Sequence, residues 1–169
     1  LEWLEPRPAL DVPEELSLAE WTDPDGSRIA LVRERGKRDP WFGGRSYANL
    51  LRKGAGEAFW QAHHARHIAA CPGGIGRYCF TDEPEAKADN VIGTAGAGWA
   101  WSSALEKVLR PVIDLLPGGL AALHQDSDAG DLARCRYWLA LSRVFASEFI
   151  APYAARCAGV GWGLTGHFN

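Results

Sequence analysis

The stretch that decides the fold is LSLAEWTDPDGSRIALVRER, from Leu16 to Arg35. Its centre, TDPDG, combines aspartate, proline and glycine, which are the residues that tight turns favour. The segments on either side, LSLAEW and SRIALVRER, are interpreted as strands. The sequence therefore predicts a β-hairpin close to the N-terminus.

The sign of the charge changes across this hairpin. Acidic side chains dominate residues 1–25, where Arg7 is the single basic residue, and basic side chains dominate residues 28–53. Opposite charges that face each other across two strands help to fix the register of the strands. We therefore expect these charges to pair across the hairpin.

Further along the chain the pattern becomes helical. SYANLLRKG, from Ser46, predicts a short helix that ends at Gly54, and residues 56–70 predict a longer one. RYCF, residues 77–80, is a candidate third strand. The glycine-rich tail GVGWGLTGHFN is expected to be irregular.

The strongest helical periodicity lies between Asp131 and Ile150. Its apolar residues, Leu139 among them, occupy two sides of the predicted helix. A helix that is apolar on two sides is expected to be buried between neighbours, so Leu139 is predicted to be a core residue. Pro152 is expected to end the helix.

The predicted architecture is a single α+β domain over residues 1–169, since that length is about one domain. The hairpin, with the candidate third strand, packs on a dominant C-terminal helical layer. Residues 1–44 hold the hairpin and a basic loop, residues 45–71 hold two helices, and residues 99–158 form the main helical core.

Composition argues against several classes of protein. The net charge of -3 does not indicate a dedicated nucleic-acid-binding protein. No apolar run approaches the length of a membrane span, so a membrane partner is not expected. The four cysteines are scattered and do not resemble the disulfide framework of a small secreted domain. We therefore expect a cytoplasmic protein.

The segment RERGKRDPWFGGRSY interleaves five basic residues with three aromatic ones. Arginine, tryptophan and tyrosine are enriched in protein interfaces, and they also stack on bases. Because the whole chain is acidic, we expect a protein or peptide partner rather than a nucleic acid. The alternative is a solvated loop whose aromatic side chains pack into the core. The predicted contact residues are Arg33, Arg35, Lys37, Arg38, Trp41, Phe42, Arg45 and Tyr47.

A second candidate site is a stripe of three residues on the predicted longer helix. His63 and His67 lie one turn apart, and Cys71 lies one turn further on. This spacing suits zinc or another transition metal, with His124 or His167 as a fourth ligand. The glutamate of a metalloprotease helix is absent. The alternative is a set of half-buried polar residues beside aromatic neighbours.

The loop that follows, CPGGIGR, has the spacing C-x5-R and resembles the signature loop of protein tyrosine and dual-specificity phosphatases. The resemblance implies Cys71 as the nucleophile, Arg77 as the phosphate clamp and Asp39 as the general acid. In that family the loop follows a strand, whereas a predicted helix precedes Cys71 here. A helix end, closed by the glycines, is therefore the favoured interpretation.

The sequence contains no Ser-His-Asp pattern, no nucleotide-binding glycine motif and no HExxH. We therefore predict a non-catalytic accessory or partner-binding protein that uses the basic aromatic segment to bind a protein or peptide. The first alternative is a metal-binding protein or metalloenzyme, and the second is a cysteine-dependent phosphatase.

Overall fold

The structure, a computed structural model, describes residues 2–36, 38, 40–71, 76–84, 86 and 98–167, with the backbone alone at position 41. The strands are β1 (Glu2–Pro8), β2 (Ser17–Thr22), β3 (Arg28–Arg35), β4 (Tyr78–Thr81), β5 (Trp99–Trp101) and β6 (Gly163–Gly166). The α-helices are α1 (Ala55–Ala62), α2 (His64–Ala70), α3 (Ser103–Ile113), α4 (Asp128–Phe145) and α5 (Ala151–Gly159). A π-helical turn, Ala146–Ile150, joins α4 to α5.

Four of the strands form an antiparallel sheet in the order β2-β3-β1-β5. The predicted hairpin supplies β2 and β3, and Gly26, at a left-handed φ of 88°, closes the turn between them. Charges pair across neighbouring strands, Arg28 with Glu20 at 2.7 Å and Arg7 with Glu34 at 2.8 Å. The hairpin prediction is therefore confirmed.

The first strand, β1, links the hairpin to the rest of the sheet. It pairs along its length with β3 and, through residues 2–4, with β5. Leu4 of β1 and Leu31 of β3 are fully buried in one core. The strand was not predicted, because in the sequence this region stands out only by its acidic residues.

A first core lies between this sheet and helices α3 and α4. In α3, Leu105, Leu109 and Ile113 follow one another at intervals of one turn, and all three are fully buried. In α4, Tyr137 is buried and donates a hydrogen bond to the Ala100 carbonyl of β5 at 2.8 Å. The α+β class with a dominant C-terminal helical layer is confirmed.

The prediction that Leu139 is a core residue is wrong. Its side chain is 60% exposed, whereas Tyr137, Ala140 and Val144 of the same helix are buried. Each residue turns the helix by about 100°, which places Leu139 on the face opposite Tyr137. The apolar pattern has two sides, but the fold covers only one of them.

A second core lies among α1, the π-helical turn, α5, β4 and Leu50. Its buried members are Leu50, Trp60, Cys79, Phe149, Tyr153 and Cys157. The candidate third strand forms β4, but it pairs in parallel with β6 and not with the hairpin. The tail, which was expected to be irregular, supplies β6.

Two helix predictions differ from the structure in the middle of the chain. The segment from Ser46 to Gly54 is irregular up to Asn49 and then forms turns, because the Asn49 side chain accepts the Leu51 N–H at 3.1 Å and so offers the backbone an alternative to helical bonds. The predicted longer helix is interrupted at His63, where φ is -117° and ψ is -73°. Helix α1 ends before this residue and α2 begins after it.

Pro152 does not end the C-terminal helix. It lies in the first turn of α5, directly after the π-helical turn. Proline lacks the N–H of a helical bond, and its ring crowds the carbonyl four residues earlier. The wider π-helical turn accommodates that change, so the helical path continues through the proline.

Candidate functional site

A cleft of about 540 Å³ opens where β3, residues 46–52 and the first turn of α3 meet. Arg33 and Arg35 of β3 and Arg52 of the following turns line it, and we refer to it as the arginine cleft. Among the described residues of its lining, Glu2 is the only carboxylate. The cleft therefore carries a net positive charge, although the whole chain is acidic.

Strand geometry brings the first two arginines to the same side of the sheet. Arg33 and Arg35 are two residues apart, and alternate side chains of a strand share a face. Arg33 binds Glu106 of α3 at 2.9 Å, whereas Arg35 reaches Glu2 only at 3.9 Å and is 87% exposed. Exposed ion pairs contribute about 0–1 kcal/mol, so an incoming anion replaces such partners at little cost.

Hydrogen bonds hold the opposite wall of the cleft in place. Asn49 Nδ2 donates to the Trp101 carbonyl at 2.8 Å. The Ser102 hydroxyl donates to the Leu51 carbonyl at 2.8 Å and also caps α3. Leu51 is fully buried. Arg52 therefore follows a segment that is anchored to both β5 and α3.

Three of the eight predicted contact residues line the cleft: Arg33, Arg35 and Tyr47. Two more are exposed outside its lining: Arg38 and Arg45. Phe42 is half-buried, with its ring centroid 5.3 Å from that of Tyr47. Lys37 and the side chain of Trp41 lie outside the described residues. Partner binding by this segment stays a prediction.

Arg52 was not among the predicted contact residues, although it belongs to the basic stretch of residues 28–53. It lies outside the segment that alternates basic and aromatic residues, which was the signal that we followed. The charge run alone would have included it, but only the fold brings it next to β3.

The proposed metal stripe is not gathered into a ligand set. His63, His67 and Cys71 are all exposed, and the His67 Nδ1–H donates to the His63 carbonyl at 2.8 Å. The predicted stripe also required His63, His67 and Cys71 to lie along one continuous helix, and the helix is interrupted at His63. Zinc binding there stays a prediction. In the described part of the chain, one exposed group has its ligand atoms within 4.8 Å of one another: Asp82, Glu83 and His167.

His64, which lies between the two exposed histidines, belongs to a different cluster. Its Nε2 lies 2.6 Å from Tyr153 Oη and 3.3 Å from Cys79 Sγ, and Tyr153 Oη lies 2.7 Å from Cys79 Sγ. The three atoms form a triangle contributed by α2, β4 and α5. Cys157, one turn after Tyr153, is buried in the same core. We refer to these four residues as the Cys79 cluster.

Burial shifts the pKa values of three residues: His64, Tyr153 and Cys157. It lowers the pKa of His64, with His63 and His67 adding to the effect, so the imidazole is neutral near pH 7. Burial and the hydrogen bond with Cys79 raise the pKa of Tyr153. Burial, with Cys79 as a neighbour, raises the pKa of Cys157 to about 11. The Cys79 cluster was not predicted from the sequence. The one sequence pattern that relates any of its members is the spacing of Tyr153 and Cys157 by one helical turn.

The phosphatase hypothesis rests on residues that the structure covers only in part. Helix α2 precedes Cys71, as expected from the sequence, but residues 72–75 and Asp39 lie outside the described residues.

In the part of the chain that the structure describes, no helix combines the length and apolarity that crossing a membrane requires. Comparisons with protein-family models, curated proteins and solved structures give no significant match, so function has to be argued from the geometry of these sites.

Proposed function

We propose that this protein is a non-catalytic binding protein whose arginine cleft takes an acidic segment of a partner protein. The observation that carries the proposal is the convergence of Arg33, Arg35 and Arg52 on one cleft whose described lining contains a single carboxylate. Guanidinium groups bind carboxylates through paired, charge-assisted hydrogen bonds. The cleft therefore matches the side chains of aspartate and glutamate.

The size and overall charge of the protein favour a peptide over a nucleic acid. A cleft of about 540 Å³ lies within the range of ~300–1,000 Å³ that holds compact ligands, and a few peptide side chains fill it. A nucleic acid is a long polyanion that an extended basic surface binds best. The net charge of -3 opposes that mode, whereas a short acidic segment needs only the local positive charge.

The test is fluorescence polarisation with two labelled peptides of matched sequence, one rich in Asp and Glu and one with Asn and Gln in their place. We expect the acidic peptide alone to bind, with an affinity that falls as salt is added. Arg35→Gln/Arg52→Gln should weaken binding about tenfold or more, since a hydrogen bond to a charged group contributes about 1.5–3 kcal/mol. The thermal midpoint should stay close to that of the parent protein, because both side chains are exposed.

Arg28→Gln is the matched control, because Arg28 lies on the same strand, pairs with Glu20 and does not line the cleft. It should leave the affinity unchanged. Equal binding of the two peptides, or an equal loss in Arg28→Gln and in the double variant, would contradict the proposal.

A further inference from the structure

The Cys79 cluster is spaced for hydrogen bonds and not for a metal. A tetrahedral zinc ion with bonds of about 2.0–2.3 Å separates its ligand atoms by about 3.5 Å. The three separations among His64 Nε2, Tyr153 Oη and Cys79 Sγ are 2.6, 2.7 and 3.3 Å. These distances are those of hydrogen bonds, so protons link the three atoms.

Counting those protons identifies a base beside the thiol. Neutral His64 carries one ring proton, and with that proton on Nδ1 its Nε2 is an acceptor. The two groups that face Nε2, Tyr153 O–H and Cys79 S–H, are both donors. His64 can therefore receive the Cys79 proton, after which Nε2 no longer accepts and the Tyr153 hydroxyl is free to donate to the thiolate sulfur at 2.7 Å. A nucleophile within reach of a base that a third group orients is the usual arrangement of an activated thiol.

Cys157 supplies a second thiol next to the first. It follows Tyr153 by one turn of α5, and Tyr153 Oη touches Cys79 Sγ. Cys79 and Cys157 belong to the same buried cluster, and Cys79 is one of the neighbours that, after burial, raise the pKa of Cys157. In the described structure both are free thiols.

We propose that Cys79 is a peroxide-reactive thiol, that His64 is the base that takes its proton, and that Cys157 resolves the oxidised Cys79 into a disulfide. This proposal is independent of the arginine cleft, which none of these residues lines.

The chemistry balances in two steps, with a hydroperoxide as the oxidant. In the first, the Cys79 proton passes to His64 Nε2, the sulfur attacks one peroxide oxygen and the O–O bond breaks. Cys79 becomes a sulfenic acid, and the leaving oxygen takes the proton from His64. In the second, the Cys157 sulfur loses its proton and attacks the Cys79 sulfur. The S–S bond forms, the S–O bond breaks, and the hydroxide leaves with that proton as water.

Burial selects the size of the oxidant. Cys79 is 5% exposed, and its neighbour His64 is half-buried at the protein surface. The side chains that flank Cys79 on β4, Tyr78 and Phe80, are 73% and 56% exposed and point to the other side of the strand. Hydrogen peroxide, which is close in size to water, therefore reaches the sulfur more readily than a bulky alkylating reagent.

The test uses the full chain with Cys71→Ser and Cys135→Ser, because both of these cysteines are exposed and would otherwise react. Added hydrogen peroxide should remove two hydrogen atoms from the intact mass, and peptide mapping should join Cys79 to Cys157. When Cys157→Ser is added, the sulfenic acid should persist: the intact mass should rise by one oxygen atom, and dimedone added together with denaturant should label Cys79. A bulky maleimide should label Cys79 only after unfolding.

The role of His64 is tested by the rate of the first step. His64→Gln keeps a polar side chain but removes the base, and the rate at neutral pH should fall tenfold or more. Raising the pH should restore that rate, because hydroxide then removes the thiol proton. His167→Gln is the matched control, since it changes an exposed imidazole that is not among the groups shifting the pKa of His64, and it should have no effect.

Folding of each variant is checked by its thermal midpoint. If His64→Gln lowers the midpoint, Tyr153→Phe replaces it in the test, because it removes only the hydroxyl that donates to the sulfur, and it should also slow the reaction. Folded protein whose Cys79 acquires neither a dimedone label nor a disulfide would overturn the proposal. A folded His64→Gln that reacts as fast as the parent would overturn the assignment of the base.

Discussion

Replacing Ser102 with alanine tests how the anchored wall of the arginine cleft is held. Ser102 is 1% exposed, and its hydroxyl donates to the Leu51 carbonyl and accepts the Leu105 N–H, at 2.8 and 3.0 Å. The substitution removes a helix cap worth about 1 kcal/mol. It also leaves the buried Leu51 carbonyl without this donor, at a cost of about 1–3 kcal/mol. We expect the free energy of unfolding to fall by about 2–4 kcal/mol.

Two other serines provide the comparison that makes this prediction sharp. Ser127 caps α4 by accepting the Gly130 N–H at 3.1 Å but is itself exposed, so Ser127→Ala should cost only about 1 kcal/mol. Ser103 is exposed and, among the described residues, has no side-chain hydrogen bond, so Ser103→Ala should change stability by less than about 0.5 kcal/mol.

The assay is urea unfolding of the three variants and the parent protein. A change of 1 kcal/mol corresponds to about 2–4 °C in the thermal midpoint of a chain of this size, so calorimetry provides an independent check. If Ser102→Ala costs no more than Ser127→Ala, the burial of the Leu51 carbonyl contributes nothing, and the reasoning about the anchored wall is refuted.

Two further predictions concern the first core and the buried histidines. Leu109→Ala should lower the free energy of unfolding in urea by about 2–5 kcal/mol, since Leu109 is fully buried. Leu139→Ala should lower it by much less, because Leu139 is 60% exposed. Similar losses in the two variants would contradict the placement of Leu139 on the exposed face of α4. Burial lowers the pKa of both His64 and His124 in the folded protein. As the pH drops below about 6.5, the unfolded chain therefore takes up protons at these two residues before the folded protein does, and the free energy of unfolding should fall. Protonated His124 can no longer accept the Trp99 Nε1–H hydrogen bond. The thermal midpoint, measured from pH 8 to 5, should therefore fall less steeply with pH in His124→Gln than in the parent protein. An equal slope would contradict the lowered pKa of His124.

The parts of the fold that the sequence predicted are those with local signals. The turn and both strands of the hairpin lie within one short stretch of sequence, so the pattern does not depend on the rest of the fold. Strand β1 was not predicted because it contains Pro6 and Pro8, and proline cannot donate a hydrogen bond to a neighbouring strand. The structure tolerates them because, in the part of the chain that it describes, β5 pairs only with residues 2–4 and no strand pairs with that edge of β1 at the two prolines. Strand β6 was missed because its parallel partner, β4, lies far away in the sequence.

The same distinction applies to the candidate sites. Arg33 and Arg35 share a face by strand alternation alone, so their association was predictable from the spacing. The position of Arg52 depends on the turns that replace the predicted helix at residues 46–54, and those turns depend on a bond from Asn49 to Trp101 in another element. The Cys79 cluster joins three elements, and no local pattern in the sequence indicates that His64 faces Cys79.

The two sites depend on different cores, which determines how far their tests can be interpreted separately. The arginine cleft is framed by β3 and α3, which contribute Leu31, Leu105, Leu109 and Ile113 to the first core, and the Cys79 cluster lies in the second. The cores meet at adjacent residues, because Leu51 belongs to the first and Leu50 to the second. Substitutions in the two sites that share no contacts are expected to act additively. Phe145 packs against both cores and is one direct route by which one site can influence the other, and the segment at residues 50–51 is a second. Since Ser102 fixes the Leu51 carbonyl, that route is restrained on the cleft side.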